Sequence, residues 1–257
     1  MFPLRDENPT LLTPFITVAL VLANVAVWIF VQGAGVSGVT LAESVCRFGA
    51  IPAEVTGRTL GYTAIDLGSG LPPCVLGDLS KGAVLTSMFM HGGWMHLITN
   101  MWFLWIFGNN IEDSMGHLRF LLFYLICGAL AALAHIASAP SSLIPTVGAS
   151  GAISGVMGAY LVLYPRVRIH TLFIFIIFFR IIPVPAWLIL LWWFALQLLS
   201  GYTQPAGGGE GVAFWAHVGG FVAGLVLVKV FENRQLVEAR RHHVMLSPFE
   251  IPRRGWL

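Results

Sequence analysis

Six stretches of this chain, at roughly 12–32, 93–109, 117–137, 148–164, 183–200 and 211–231, are apolar runs of the length a bilayer demands. A membrane-spanning helix needs about 20 mainly apolar residues, and inside lipid every backbone polar group must be bonded within the segment itself. Composition agrees: 57% hydrophobic and 10% charged residues over 257 positions, with mean hydropathy +0.80, exclude a soluble globule. The expected fold is an all-α membrane protein, a bundle of six transmembrane helices.

Charge sets the orientation. The clusters "PRVRIH" after the fourth run and "ENRQLVEARRHH" after the sixth belong on the cytoplasmic side by the positive-inside rule. Six crossings return the chain to its starting side. With both termini cytoplasmic, all 14 Lys and Arg except Arg47, Arg58 and Lys81 fall inside. The net charge of +2 therefore reports topology, and no nucleic-acid partner is implied. The first run is too long for a signal-peptide core and no small-residue cleavage site follows, so it is expected to be a signal anchor. The chain divides into a cytoplasmic N-terminus (1–11), a six-span unit (12–231) and a cytoplasmic tail (232–257) expected to be loosely ordered.

Two long connections stand out. The outer loop at about 33–92 is rich in Gly and Pro and carries amphipathic pieces such as "LAESVCRFGAIPAEV" that suit a membrane surface. It contains Cys46 and Cys74, which pair if the compartment is oxidising and otherwise stay as two thiols. Cys127 lies in the third span and reads as packing. The segment "TLFIFIIFFRIIPVP" after the fourth span reads as a connection whose Pro183 and Pro185 delay the fifth helix.

Polar groups inside spans are costly and usually face the interior, so they form the functional shortlist. Span two opens with "HGGWMHLITNMW", which sets His96 and Asn100 four apart on one helical face. Span four opens with "VGASGAISG" and contributes Ser150; span six opens with "GVAFWAHVGGFVAG" and contributes His217. These three spans run in the same direction. At about 1.5 Å per residue, all four groups fall about 5–12 Å below the outer interface. Taken singly, Ser150 is a packing residue, and Gly151, Gly155, Gly220 and Gly224 are the small residues that let helices approach closely. His91 and His135 suit core hydrogen bonding, with His91 anchoring the loop edge, while His117 and His170 look interfacial. Glu112 and Asp113 in "GNNIED" suit bonding to backbone groups at the start of the next helix. Four polar groups converging in one layer is more than packing requires.

Those motifs, in that order and with "GNNIED" between the first two, resemble the rhomboid family of intramembrane serine proteases in its bacterial six-span form. The similarity runs over about 12–231 and is specific as a set, since G-x-S-G alone carries little. It implies a compact bundle whose site opens to the outside. It also implies Ser150 as nucleophile, His217 as general base, His96 and Asn100 lining an oxyanion hole, and Gly220 and Gly224 bringing span six against span four. The chain departs from many members twice. Its outer loop lacks a Trp-Arg pair, and Ser154 stands where a Tyr commonly packs beneath the base.

The chemistry follows from these groups. A hydroxyl needs a base to take its proton, and neutral imidazole serves near pH 7. With no acidic residue at that depth, a Ser–His dyad without a third member is expected. The partners are the lipid bilayer and transmembrane protein substrates, which must unwind locally and enter sideways. Span five, with Trp187, Trp192 and Trp193, is a candidate gate beside span two, and an interfacial aromatic belt also explains some of these rings. No cofactor or metal is expected, since H-E-x-x-H is absent. The inner cell membrane is the expected location. The alternative is a non-catalytic relative that binds transmembrane helices for quality control, which should lack Ser150 or His217. A small transporter is disfavoured because the polar groups lie near helix ends rather than at the midplane.

Overall fold

The computed structural model describes residues 2–59, 64–66, 68, 70–76, 82–175, 178–203 and 212–241. Lys81 and the tail beyond 241, including Arg253 and Arg254, lie outside the described residues. Strand β1 (Phe2–Asp6) leads into helix α1 (Phe15–Phe30), which starts just after Pro14, whose fixed φ and missing N–H cost nothing at a helix start. The long loop then folds into α2 (Gly38–Phe48), α3 (Pro52–Val55), the short strands β2 (Ala64–Ile65) and β3 (Cys74–Val75), and α4 (Ala83–Thr86). Ser37 caps α2, its hydroxyl accepting from the Thr40 N–H at 3.3 Å.

Helix α5 (Trp94–Phe103) continues through a π-helical turn at Leu104–Gly108 into α6 (Asn109–Met115). Gly116, at φ +80°, breaks the chain into α7 (His117–Ser138). Then come α8 (Ser150–Leu163), β4 (Arg168–Phe175), β5 (Phe178–Pro185), α9 (Ala186–Thr203), α10 (Phe214–Phe231) and α11 (Arg234–Arg241). Helices α7, α9 and α10 are each long and apolar enough to cross a membrane, while α1 and α8 are shorter apolar helices of 16 and 14 residues. The protein is a membrane helical bundle.

Helix α8 is its axis: every residue from Gly151 to Tyr160 is buried, against α7, α10 and the π-helical turn. Phe107, Phe120, Phe123, Tyr124 and Phe221 pack around it, fully buried as is its own Tyr160. Helix α9 is the periphery. Only 17% of its apolar window is buried, against 44% for α7 and 33% for α10.

Three local features differ from the sequence reading. The connection after the fourth span is an antiparallel hairpin, β4 with β5, and β1 joins it in a sheet of order β1-β4-β5. Its β-branched and aromatic residues favour strand, and Pro183 and Pro185 are tolerated because β5 is an edge. The fifth helix accordingly begins at Ala186 rather than at 183. The beginning of the tail is a docked helix, with Leu236 and Val237 of α11 buried and the Asn233 N–H donating to the Ser114 carbonyl at 2.8 Å.

Candidate active site

The site starts at a backbone constraint. Gly148 holds φ +127°, a region side chains rarely adopt, and a Cβ there would lie 2.8 Å from His96 Nε2. This turn ends at the first residue of α8, Ser150. Helix α10 then lies directly on α8. A Cβ on Gly220 would fall 2.0 Å from the Gly151 carbonyl oxygen, one on Gly224 1.9 Å from that of Gly155, and one on Gly155 2.5 Å from the Cys127 Cβ. Gly158, not singled out in the sequence, has the same role against the Phe221 carbonyl oxygen at 2.3 Å. The approach is possible only without side chains, and it carries His217, one turn before Gly220, onto Ser150.

His217 Nε2 lies 2.8 Å from Ser150 Oγ. The opposite ring nitrogen, Nδ1, lies 2.7 Å from Gln197 Oε1 on α9. Trp193, one turn earlier on α9, tilts over the imidazole with ring centroids 5.7 Å apart. Gln197 was not among the sequence candidates, because it belongs to none of the motifs that open spans two, four and six. Residue 197 sits near the end of span five, and the same depth rule applied to that span points to it. Ser154 does not face the base as the nucleophile does: its hydroxyl donates to the Ser150 carbonyl at 2.6 Å, within its own helix.

His96 and Asn100 share one cavity of about 700 Å³ with Ser150, Ser154, Trp193 and His217, bounded by α5, α8, α9 and α10. Nδ1 of His96 accepts from the Gly92 N–H at 3.3 Å, so the neutral ring carries its proton on Nε2, on the Gly148 side. One N–H of the Asn100 amide donates to the His96 carbonyl at 2.9 Å, which leaves a second for the cavity. Of the other span-five rings, Trp187 and Trp192 are exposed on the bundle surface, and only Trp193 lines the cavity.

The loop above is pinned in several places. Cys46 and Cys74 form a disulfide, and Ala50 bridges Thr146. The Gln32 amide bonds both the His91 carbonyl, at 2.7 Å, and the His91 N–H, at 2.8 Å. Burial, with His96 alongside, holds the His91 imidazole far below its ordinary range, at about 3. At the opposite end, Glu112 and Asp113 do bond backbone N–H groups, but those of Leu11, Leu12, Ile16 and Thr17 around the start of α1, not those of the following helix. His117, at the start of α7, joins them through its side chain alone, 2.5 Å from Glu112.

Among the described residues, no cluster of His, Cys, Asp and Glu has the makings of a metal site. Comparison with known proteins gives a family match over 81–234, to the Rhomboid domain. The chain is 32% identical to "RHOMBOID-like protein 6, mitochondrial" of Arabidopsis thaliana, over 61% of its own length and 54% of the relative's. It is 36% identical to "Rhomboid protein 1, mitochondrial" of Saccharomyces cerevisiae over 42% of this chain and 31% of that one. It is 41% identical to "Rhomboid protease GluP" of Bacillus subtilis over 30% and 15% respectively. The chain thus spans about half or less of the length of these curated relatives.

Proposed function

The chain belongs to the rhomboid family of membrane proteins, and from that premise we propose that it is an intramembrane serine endopeptidase cutting transmembrane segments near the outer interface. The observation that carries this is the 2.8 Å contact between Ser150 Oγ and His217 Nε2 inside a cavity shared with His96 and Asn100. Ser150 attacks the scissile carbonyl carbon while Nε2 of His217 takes the hydroxyl proton. The carbonyl oxygen becomes an oxyanion. Donors within reach are the free N–H of Asn100, Nε2–H of His96, and the first backbone N–H groups of α8, which have no partner within the helix. His217 then gives its proton to the leaving amine. Water, deprotonated by the same imidazole, attacks the acyl carbon, the C–Oγ bond breaks to release the acid, and the imidazolium returns the proton to Ser150 Oγ.

The intact Ser–His contact argues against the non-catalytic helix-binding alternative. The substrate's helix must open to expose its carbonyls, and it enters beside the sparsely buried α9. Arg5, Arg119, Arg168 and Arg234 gather at the bundle end away from the cavity, which supports a cytoplasmic placement of that end in the cell membrane and a site open to the outside.

The test is incubation of the purified protein in lipid vesicles with single-span model substrates, any cut being located by mass spectrometry. The expected result is cleavage near the substrate's outer end and none with Ser150→Ala. Full activity in Ser150→Ala would show that another group is the nucleophile.

A further inference from the structure

Among the described residues no acidic side chain is bonded to the base, and Ser154, one turn along α8 from the nucleophile, turns its hydroxyl into its own helix. What fixes the imidazole instead arrives from a different helix. We propose that Gln197 is a positioning residue, the third member of a Ser150–His217–Gln197 relay in which its side-chain oxygen holds His217 in the tautomer that can accept the serine proton. This role rests on the Ser150–His217 reading above.

The argument is one of donor and acceptor bookkeeping. A neutral imidazole carries one proton on one of two nitrogens. His217 places Nε2 at 2.8 Å from the Ser150 hydroxyl and Nδ1 at 2.7 Å from Gln197 Oε1. An amide oxygen only accepts, so Nδ1 must donate and Nε2 is left with the lone pair that Ser150 needs. Were the proton on Nε2, Gln197 Oε1 would face a bare nitrogen and the ring would be useless as a base toward Ser150. The same bond strengthens as Nδ1–H becomes part of an imidazolium during attack, so it favours the transition state over the resting state. Trp193, one turn away on the same helix, closes the remaining side of the ring at 5.7 Å between centroids. Together the two residues of α9 supply both the orientation and the packing that Ser154 does not.

An amide differs from a carboxylate in a way an experiment can read. Gln197 orients the base without adding charge, so it leaves the protonation equilibrium of His217 to the rest of the site. Glu at this position would orient the ring equally and also stabilise its charged form, moving the acidic limb of the pH–rate profile to higher pH. Leu would fill the space and orient nothing.

The test uses the full chain in vesicles with a single-span substrate, reading kcat and KM across pH for wild type, Gln197→Leu and Gln197→Glu. Expected are a fall in kcat of about tenfold or more in Gln197→Leu with KM nearly unchanged, the scale of one hydrogen bond that matters in the transition state. Gln197→Glu should recover most of that kcat, with its acidic limb shifted upward. Nitrogen-15 imidazole spectra of the wild type, which need no variant to fold, should show His217 protonated at Nδ1. An unchanged kcat in Gln197→Leu beside an active wild type, an unshifted limb in Gln197→Glu, or a proton on Nε2 would overturn this role alone. A wild type that neither cleaves nor takes a serine-directed label at Ser150 would overturn the reading beneath it as well.

Discussion

The two ends of the bundle use the same kinds of polar side chain to opposite purposes. At the end where the chain begins, buried Glu112 accepts from the Ile16 and Thr17 N–H groups at 2.9 and 2.8 Å and from the Thr17 hydroxyl at 2.7 Å. Asp113 accepts from Leu11 and Leu12, and Asp6 from the Tyr160 hydroxyl at 2.6 Å and the Asn110 amide at 2.8 Å. These acceptors are spent on donors of the protein itself. At the other end, Ser150, His96, Asn100 and His217 face a cavity, and Asn100 and His96 each keep an N–H that their neighbours do not claim. Satisfied polar groups in an apolar bundle fix a shape; those with spare capacity beside a cavity are free to meet a substrate.

If that contrast holds, removing a group from the cavity end destroys activity and leaves the fold alone. His217→Ala is expected to abolish proteolysis, since among the described residues no other hydrogen-bond partner of Ser150 Oγ can take its proton, while the unfolding midpoint stays within a few degrees of wild type. A parallel collapse of stability would break the comparison.

Glu112→Ala should do the reverse. It strands two helix-start N–H groups and a hydroxyl without an acceptor, at a cost of about 1–3 kcal/mol for each buried donor left unpaired. Unfolding in mixed micelles measures this, and turnover per folded molecule should remain near wild type. Loss of turnover without loss of stability would place Glu112 among the functional groups instead.

How much of this contrast the sequence discloses depends on periodicity and depth. His96 and Asn100 four apart, Ser150 at a helix start and His217 before a Gly-x-x-x-Gly pair can all be placed in one layer by counting residues. Gln197 is legible in depth, near the end of its span, but a lone amide among the tryptophans of "LWWFALQLL" belongs to no motif, and its partner is set by how α9 lies on α10. The β4–β5 hairpin escapes for a different reason: a continuous apolar run carries no period, so strand and buried helix look alike in it. The partners of Glu112 and Asp113 are not legible either, because the start of α1 lies about a hundred residues away and only the fold brings it to them.

Asn100→Ala probes the cavity end more finely. The spare N–H of Asn100 meets charge that exists only in the transition state, so kcat should fall by the equivalent of about 2.7–4 kcal/mol with little change in KM. Unchanged kcat would remove Asn100 from the donors, and a rise in KM alone would make it a substrate contact.

The smallest expected effect separates the two serines of "GASGAISG", and it tests the contrast within one helix. Ser150 and Ser154 are one turn apart on α8 and both line the cavity. Ser150 sits at the helix start, where backbone N–H groups lack partners and the positive end of the helix dipole favours a nearby anion. Its hydroxyl lies 2.8 Å from the base. Ser154 is almost wholly buried, and its proton is committed to the Ser150 carbonyl at 2.6 Å. That bond is local, and replacing Ser by Ala inside a helix removes a competitor for backbone bonding as well as a bond. Ser154→Ala should therefore alter stability by less than about 1 kcal/mol and leave kcat within about twofold. A serine-directed fluorophosphonate should mark Ser150 in both proteins. A label on Ser154, or a large loss of kcat in Ser154→Ala with Ser150 still labelled, would mean that a satisfied hydroxyl does chemistry here, and the division between spent and spare polar groups would fail where it is sharpest.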